Sequence, residues 1–293
     1  MNILIVGQGY IGSYLTLSLF NRGHSLTVCS VSFGLRQSPE ISQIEGRYQD
    51  LPADVLASFD VILWLAGHSS VGQAIADPSG AVRNNCFDLL EFAQRKPGHV
   101  RLIYASTASL YSVSHNNDFN QGPDPLKESE ARITSLNAYD SSKAAFDALV
   151  GPLAENTCGL RLGTVCGYSP KLREELVFNS MNIGAISNRQ VRVANPNAWR
   201  SLLFLEDLSF VLDALIYSDT PLPRFINVAS LDTQIGSLAH EIAAWYGAEI
   251  VNLPDTATYS FRMSTDLMTG IVGSLPIKKL SERCGDFARE MPQ

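Results

Sequence analysis

The chain has 293 residues, 45% of them hydrophobic, and carries a formal net charge of -7 at pH 7. This apolar fraction is high enough for a substantial core and argues against an intrinsically disordered chain. The negative charge disfavours nucleic acid and anionic membranes as partners, because both are themselves negatively charged. An anionic cofactor would therefore need hydrogen-bond donors placed locally in its site.

The five cysteines are scattered along the chain and lack the paired spacing of metal ligands: Cys29, Cys86, Cys158, Cys166 and Cys284. Their odd number and their spacing are typical of reduced thiols and not of a disulfide framework. No apolar run reaches the roughly 20 residues of a membrane span, and the first residues resemble a strand more than a targeting segment. We expect a cytoplasmic protein with no metal site and with neither nucleic acid nor membrane as a partner.

Short hydrophobic runs alternate with amphipathic segments through the first half of the chain. The pattern predicts strands at residues 3–6, 25–29, 61–66, 101–105 and 159–162, and helices at residues 10–21, 80–94 and 138–150. Strands that are apolar on both faces and separated by helices indicate a parallel, doubly wound sheet, so we predict a Rossmann-type α/β fold. The polar segment 114–137 is expected to be a long functional loop.

After residue 163 the alternation weakens. Helices are predicted at residues 171–187, 207–217 and 235–246, with extended segments at residues 191–193 and 202–205. We expect a Rossmann domain over residues 1–164, completed by a return segment at about 200–232. Residues 165–293 would form a smaller, partly interleaved C-terminal lobe that binds the substrate.

A glycine-rich turn of the pattern G-x-G-x-x-G follows the first predicted strand and opens the first predicted helix. Gly7 permits a tight turn, Gly9 lets the backbone approach a pyrophosphate, and Gly12 allows close packing of the helix on the strand. The helix N-terminus, with Tyr10 and Ile11, offers N–H groups and a positive dipole end to the anion. The turn therefore predicts a dinucleotide cofactor.

The residue at the end of the second strand selects between cofactors. An acid there binds the ribose 2′-hydroxyl of NAD and repels the 2′-phosphate of NADP. Ser30 holds this position, and residues 29–36 contain no acid. Ser30 can donate to a phosphate and Arg36 can neutralise it. We therefore predict a preference for NADP(H), with NAD(H) as the open alternative.

Two segments supply candidate catalytic residues. Tyr139 and Lys143 are four residues apart and share one face of a predicted helix. A phenol ionises poorly near neutrality, but a neighbouring ammonium favours the phenolate and can also hold the nicotinamide ribose. Thr107 lies in a Ser/Thr-rich turn at the carboxyl end of a predicted strand, where its hydroxyl can bond the reacting oxygen.

In these motifs the chain resembles the extended short-chain dehydrogenases, the sugar-nucleotide epimerase/dehydratase family. The resemblance extends over most of the chain and involves these segments: 7–12, Leu65-Ala66-Gly67, Asn85, 106–111, Tyr139 with Lys143, 161–163 with Gly167, 200–207 and 225–229. Taken together the motifs are specific, although each alone is common.

The resemblance implies a role for each position. Tyr139 would be the catalytic acid/base, Lys143 its partner and Thr107 the catalytic hydroxyl. The cofactor would also be contacted or its site stabilised by Asp50, Leu51, Leu65, Ala66, Gly67 and Asn85. The family's contacts to the substrate nucleotide and its diphosphate would fall on Asn179 and Arg200, with the guanidinium on the diphosphate. His68, which follows Gly67, and Thr164 are further candidate substrate contacts. Helices 80–94 and 138–150 would form the interface of a homodimer.

Two departures from the family pattern guide the choice of reaction. The 4,6-dehydratases follow the catalytic Thr with Asp-Glu, whereas this chain has Ala108 and Ser109. Many epimerases that retain NAD carry the acid that is absent at Ser30. The leading hypothesis is therefore an NADPH-dependent 4-keto-sugar reductase. Three alternatives stay open: an epimerase with retained NAD, a non-catalytic NADP-sensing protein, and an enzyme for a non-nucleotide ketone.

Overall fold

The structure is a computed structural model, and it describes residues 1–33, 38–112, 124–131 and 137–292. Arg36 and most of the predicted loop 114–137 lie outside the described residues. In the part of the chain that is described, no helix combines the length and the apolar character that crossing a membrane requires. All five cysteines are buried as free thiols.

Strands and helices alternate along the chain. The strands are β1 (Asn2–Val6), β2 (Ser25–Ser30), β3 (Ser42–Glu45), β4 (Val61–Trp64), β5 (Arg101–Thr107), β6 (Thr157–Leu162), β7 (Thr164–Cys166), β8 (Gln190–Val193), β9 (Trp199–Phe204), β10 (Phe225–Val228), β11 (Leu231–Gln234) and β12 (Glu249–Asn252). The α-helices are α1 (Tyr10–Asn21), α2 (Ala53–Leu56), α3 (Val71–Ala76), α4 (Pro78–Val82), α5 (Asp88–Arg95), α6 (Ala138–Leu153), α7 (Val177–Asn188), α8 (Leu205–Ile216), α9 (Ile235–Tyr246), α10 (Asp266–Val272) and α11 (Leu280–Glu290).

A seven-stranded sheet has the order β10-β6-β5-β4-β1-β2-β3. Strand β1 pairs in parallel with both β2 and β4, and the β2–β3 and β4–β5 pairs are parallel as well. The strand order reverses between β1 and β4, and doubly wound sheets bind ligands outside the carboxyl ends of strands at such a switch point. The predicted Rossmann-type α/β fold is confirmed.

Continuous apolar runs explain why β1 and β4 lie at the centre of this sheet. Every residue of β4 is buried, as are all but the first residue of β1. The Trp64 ring packs against Tyr48 and Phe92, with ring centroids 4.5 Å and 4.7 Å away. Strands buried on both faces need no polar alternation. This packing fixes the carboxyl ends of the central strands, where the candidate site begins.

The chain divides into two compact units, each built from three segments. The first unit comprises Met1–Leu110, Arg132–Arg161 and Leu212–Ile226, and the second comprises Tyr111–Ala131, Leu162–Val211 and Asn227–Gln293. The sequence predicts a boundary at residue 164 and a return segment at about 200–232. In the structure the corresponding boundary follows Arg161, and the returning segment is Leu212–Ile226.

The second unit has its own sheet and its own core. Strand β9 pairs with β11 in the antiparallel direction and with β7 in the parallel direction, while β12 and β8 form a separate parallel pair. The Phe178 ring meets the rings of Phe204 and Phe287 edge-on, at centroid distances of 5.1 Å and 5.8 Å. This aromatic cluster packs α7 and α11 on strand β9.

Most predicted elements are present, with ends shifted by a few residues, but two predicted helices are wrong in part. The segment 80–94 is not one regular helix, because a π-helical turn, Arg83–Phe87, separates α4 from α5. The segment 171–187 becomes helical only at Val177, and an ion pair between Arg173 and Glu175 at 2.7 Å precedes it. Strand β3 was not predicted, since three of its four residues are polar. Strands β7, β11 and β12 and helices α2, α3, α10 and α11 were also not predicted.

Candidate active site

The glycine-rich turn joins β1 to α1 and fits closely against the segment that follows β4. Gly7 has a φ of +104°, and a Cβ there would lie 2.7 Å from the backbone nitrogen of Ala66. A Cβ at Gly12 would lie 2.0 Å from the Gly7 carbonyl oxygen, whereas a Cβ at Gly9 would have no described atom within 4 Å. Packing therefore requires glycine at the first and last positions. The middle position leaves open space at the N-terminus of α1, where Tyr10 begins the helix.

The turn after β4 is tied to helix α6 by one buried amide. Gly67 has a φ of +124°, and a Cβ there would lie 2.2 Å from Asn85 Oδ1. Asn85 lies in the π-helical turn and donates from Nδ2 to the carbonyl of His68 and to the hydroxyl of Ser142, each at 3.0 Å. Its Oδ1 is buried without a hydrogen-bond partner among the described residues. Such π-turns occur often at functional sites.

At the end of β2, the Ser30 hydroxyl is engaged locally. Its Oγ donates to the Ser32 carbonyl at 2.9 Å, which is a common turn contact for serine. Glu45 ends the neighbouring strand β3 and stands opposite Ser30 in the parallel register. Paired strands are about 4.8 Å apart. An acid is therefore present one strand away from the position where the sequence lacks one. Arg36, the predicted phosphate partner, lies outside the described residues.

The segment predicted to contact adenine is held against helix α5. The Tyr48 hydroxyl donates to Asp88 at 3.0 Å. Leu51 is buried in the core, whereas Asp50 is exposed. Burial, and to a lesser degree the Asp50 carboxylate, raises the pKa of the Cys29 thiol.

The structure brings the three predicted catalytic residues onto two joined elements of the first unit. Thr107 is the last residue of β5, while Tyr139 and Lys143 are one turn apart on α6. The Lys143 Nζ donates to the Ala105 carbonyl at 2.9 Å, so α6 is joined to β5 two residues before Thr107. Residues on one face of α6 thus meet the carboxyl end of β5.

Burial sets the charge state of the site lysine. Lys143 is 8% exposed. Its burial lowers its pKa to about 8, and the Asp147 carboxylate opposes this shift. A lysine with this pKa is still mostly an ammonium at neutral pH. It lies on the same helix face as Tyr139, which is the placement that the predicted acid–base pair requires.

Asp147 is a site residue that the sequence analysis missed. It accepts hydrogen bonds from the Tyr104 hydroxyl at 2.8 Å, from Ser106 at 2.9 Å and from Arg161 Nε at 3.2 Å. Burial raises its pKa, and the Arg161 guanidinium opposes that effect. An acid four residues after Lys143, within an apolar helical stretch, is the signal that could have identified it.

The four predicted substrate-binding residues belong to different units. In the first unit, His68 Nε2 lies 3.6 Å from the Asp77 carboxylate. In the second unit, Thr164 begins β7 and is half-buried. Asn179 is fully buried and bridges Gly167 N–H at 3.0 Å to the Arg173 carbonyl at 2.9 Å. The amide thus orders the segment before α7, and substrate contacts of all these residues stay predictions.

Arg200 on β9 is a buried cation whose described partners are neutral. It is 8% exposed and donates to the Trp199 carbonyl at 3.0 Å and to the Thr258 hydroxyl at 2.5 Å. Burial lowers its pKa to about 10. No carboxylate in the described part of the chain forms an ion pair with it. A buried cation without a protein counter-ion is well suited to bind an anion.

A glycine turn at the switch point of a Rossmann sheet, together with a Tyr-x-x-x-Lys helix, is typical of short-chain dehydrogenases. The profile of the NAD dependent epimerase/dehydratase family matches residues 3–229, which is more than half of the chain. The chain belongs to the NAD dependent epimerase/dehydratase family and is an enzyme of the short-chain dehydrogenase type. The resemblance drawn from the sequence motifs is confirmed.

One curated relative is similar to the chain in sequence, and two solved structures are similar to it in fold. A UDP-glucose 4-epimerase from Corynebacterium glutamicum is 29% identical over 302 residues, covering 98% of this chain and 86% of that protein. A UDP-glucuronic acid 4-epimerase from Bacillus cereus, solved with UDP-glucuronic acid and NAD, has a TM-score of 0.82 at 18% identity, covering 99% of this chain and 98% of that one. An NAD-dependent NDP-hexosamine 5,6-dehydratase of tunicamycin biosynthesis has a TM-score of 0.81 at 19% identity, covering 98% and 96%.

Proposed function

We propose that the chain is a 4-epimerase of a nucleotide sugar that retains NAD as its cofactor. The observation that carries this proposal is the arrangement of Thr107, Tyr139 and Lys143 on joined elements. It occurs in a chain that matches a UDP-glucose 4-epimerase over 98% of its length. A reductase would use the same residues but release its cofactor after each turnover. The match to a UDP-glucose 4-epimerase therefore favours the epimerase over the 4-keto-sugar reductase that the sequence suggested.

The described residues fit a dinucleotide. Gly9 leaves open space at the N-terminus of α1, where N–H groups and the helix dipole favour a pyrophosphate. Asn85 keeps one buried acceptor without a described partner, next to the turn formed by residues 65–67. Bound NAD would supply reversible oxidation of a sugar carbinol. Lys143 would hold its nicotinamide ribose.

The chain's own residues would move the proton that accompanies this oxidation. Tyr139, as the phenolate, would take the proton of the C4 hydroxyl and return it after the sugar ring has turned over. The Lys143 ammonium would stabilise the phenolate electrostatically. Thr107 would hydrogen-bond the same sugar oxygen and keep it in place. No Asp-Glu pair follows Thr107, so the residues that a 4,6-dehydratase uses for its leaving group are absent from positions 108 and 109.

Recognition of a nucleotide sugar is supported by Arg200. Its buried guanidinium has neutral partners and would gain a counter-ion from a diphosphate. A charge-assisted pair with a diphosphate would add to the affinity for a nucleotide sugar. A non-nucleotide ketone would leave this buried cation without an anion.

The choice between NAD and NADP depends on residues around Ser30. The exposed Glu45 stands beside it and would repel a 2′-phosphate, which supports NAD. The second candidate function is an NADPH-dependent 4-keto reductase. It is favoured by the absence of an acid in residues 29–33 and by the exposed Arg47 in the turn after β3.

The first experiment identifies the dinucleotide. The purified protein is denatured, the released cofactor is assayed, and the folded protein is offered UDP-glucose and UDP-galactose. We expect stoichiometric NAD and interconversion of the two sugars. An empty protein that binds NADPH tightly and reduces a 4-keto sugar would replace the epimerase with the second candidate.

A tyrosine variant tests the mechanism in the same assay. Tyr139→Phe should lower kcat by about 10²- to 10⁴-fold, the usual contribution of a general acid–base group, while NAD stays bound. The matched control is Tyr246→Phe, which removes a hydroxyl that lies 2.9 Å from Asn182 Oδ1 and 2.8 Å from the Cys284 carbonyl oxygen in the second unit, and that can donate to either acceptor. Full activity in Tyr139→Phe would remove this tyrosine from the mechanism.

The predicted homodimer has support from exposed apolar side chains. Phe87, Leu149 and Leu153 are 59%, 39% and 44% exposed and lie in or near the helices predicted for the interface. Association of two copies would remove this surface from water. Light scattering of the NAD-loaded protein tests the dimer, and a strictly monomeric enzyme would exclude it.

A further inference from the structure

The segment 258–261 runs beside strand β9 in the second unit. The Trp199 N–H donates to Ser260 Oγ at 3.1 Å, and the Trp199 carbonyl accepts from the Phe261 N–H at 3.2 Å. The Ser260 N–H donates in turn to the hydroxyl oxygen of Ser112 at 3.2 Å. These hydrogen bonds fix the position of the segment along the first residues of β9.

The Arg200 guanidinium is held at both of its terminal nitrogens. Nη1 donates to the Trp199 carbonyl at 3.0 Å, and Nη2 donates to Thr258 Oγ1 at 2.5 Å. The guanidinium carbon lies 5.7 Å from the centroid of the Phe261 ring. A guanidinium has five N–H donors, so three of them have no acceptor among the described residues. A cation that is held in one orientation and keeps donors unused is well suited to bind an anion.

The hydroxyl of Thr258 keeps its own proton to donate. Its oxygen accepts from Arg200, and because a guanidinium accepts no hydrogen bond, the hydroxyl proton must point elsewhere. No described residue accepts this proton, and the side chain is only half-buried. An anion oxygen about 2.8 Å from Nη2 can also lie within hydrogen-bond distance of Oγ1, because these two atoms are only 2.5 Å apart. One anion oxygen can therefore accept from both residues.

We propose that Thr258 is a further substrate-binding residue, which donates its hydroxyl proton to the same phosphate oxygen that Arg200 binds. The inference rests on the proposed function, in which Arg200 binds the diphosphate of a nucleotide sugar. The two residues combine a positive charge with a directed neutral donor. A hydrogen bond to a charged group contributes more than one between neutral groups. Thr258 therefore favours a nucleoside diphosphate over the nucleoside without phosphates.

The first test is calorimetry of the NAD-loaded, full-length enzyme with UDP and with uridine. Thr258→Val replaces the hydroxyl by a methyl group of nearly the same shape. We expect the affinity for UDP to fall by at least about tenfold, the usual contribution of a hydrogen bond to a charged group. Uridine has no phosphate, so its affinity should stay unchanged, which also shows that the variant is folded. Thr258→Ser keeps the hydroxyl and should bind UDP like the wild type. Unchanged UDP affinity in Thr258→Val would overturn the inference.

The matched control is Thr233→Val on the neighbouring strand. Thr233 stands opposite Arg200 in the antiparallel register of β11 and β9. It is half-buried like Thr258, but its hydroxyl already donates to the Gln234 carbonyl at 3.2 Å. The affinity for UDP should therefore not change in this variant. An equal loss in both valine variants would mean that affinity follows the packing around Arg200, and Thr258 would have no specific role.

A double variant separates direct contact from positioning. Arg200→Met removes the cation that Thr258 helps to hold. A hydroxyl that donates to the phosphate itself should still contribute, so adding Thr258→Val should weaken UDP binding further. A hydroxyl that only holds the guanidinium would contribute nothing in the Arg200→Met background, and the inference would then be wrong. UDP titrations of the wild type, both single variants and the double variant complete the cycle.

The same titrations distinguish failure of the inference from failure of the proposed function. A wild-type enzyme that binds UDP no more tightly than uridine would defeat the diphosphate role of Arg200 and the nucleotide-sugar substrate with it. A wild-type preference for UDP that Thr258→Val retains in full would defeat the inference alone.

Discussion

Helix α6 and the end of helix α5 each bury one lysine. The two lysines share a low exposure, a hydrogen bond from Nζ to a backbone carbonyl and a lowered pKa. Lys143 and Lys96 are 8% and 6% exposed. Each Nζ donates to a backbone carbonyl, that of Ala105 at 2.9 Å and that of Glu155 at 2.8 Å. Burial lowers the pKa of both to about 8.

The neighbours of the two lysines differ. Lys143 has Tyr139 one turn before it and the buried Asp147 one turn after it, and it lies against the strand that ends at Thr107. Lys96 follows the last turn of α5, and its charged neighbour is the exposed Glu155. A depressed pKa therefore marks burial, while the groups beside the ammonium decide whether the lysine can serve in catalysis.

The largest expected effect separates the two lysines by activity. Lys143→Met removes the ammonium one helical turn from Tyr139, and we expect turnover in the proposed epimerase reaction to fall by at least about 100-fold, as for loss of acid–base assistance. Lys96→Met removes an equally buried ammonium. It should leave turnover within about twofold, because a substitution away from the reacting groups changes local packing and not the chemistry. Steady-state kinetics of both variants checks this.

A fall of similar size in both variants would break the comparison, since it would mean that activity follows the general packing of the first unit. Thermal unfolding of both variants is measured as a control for loss of the folded state. It shows whether either substitution has unfolded the chain.

A smaller effect sharpens the comparison through pH. The ammonium of Lys143 is present below its pKa of about 8 and is lost above it. The phenolate of Tyr139 loses its stabilising charge in that range, so kcat should decline as pH rises through about 8. The decline should approach tenfold for each pH unit, as for a single ionisation. Lys96→Met should show the same profile. A rate that rises through this range would mean that ionisation of Tyr139 alone governs turnover.

The sequence predicted those parts of the site that are encoded locally. Tyr139 and Lys143 are one helical turn apart, so their common face follows from helix geometry once α6 is predicted. Gly7 and Gly12 were predicted for the same reason, because a strand, a tight turn and a helix follow each other directly in the chain. The strand and helix order of the first unit followed from hydrophobic periodicity.

The parts that were missed depend on contacts between distant positions. Glu45 comes to stand beside Ser30 only through strand β3, which is too polar and too short for its periodicity to be seen. Ser109 meets Asp140 across 31 positions of the chain. The π-helical turn arises where Asn85 bonds Ser142, 57 positions away. The pattern of a single sequence does not show which distant residues will lie next to each other.

The smallest effect tests what the lysines share. The pKa of Lys143 is about 8 in the folded chain against an ordinary 10.5, so between these values the unfolded chain binds more protons. Burial of the ammonium therefore costs stability fully below pH 8, by roughly 3 kcal/mol at most. The cost fades as pH rises towards 10.5. A methionine variant also loses the hydrogen bond to the Ala105 carbonyl, which reduces the gain in stability by about 1 kcal/mol.

We therefore expect Lys143→Met and Lys96→Met each to raise the free energy of unfolding by about 1–2 kcal/mol at neutral pH. Urea titrations measure the gain, which should shrink in alkaline buffer for both variants, because wild type no longer buries a charge there. A gain for Lys96→Met alone would show that the Asp147 carboxylate already compensates the charge of Lys143. The expectation that burial destabilises the folded chain equally at both lysines would then be wrong for Lys143. Both variants could gain the same free energy of unfolding while only Lys143→Met loses turnover. That result would show that the candidate site keeps a buried ammonium that destabilises the fold because its chemistry needs the charge.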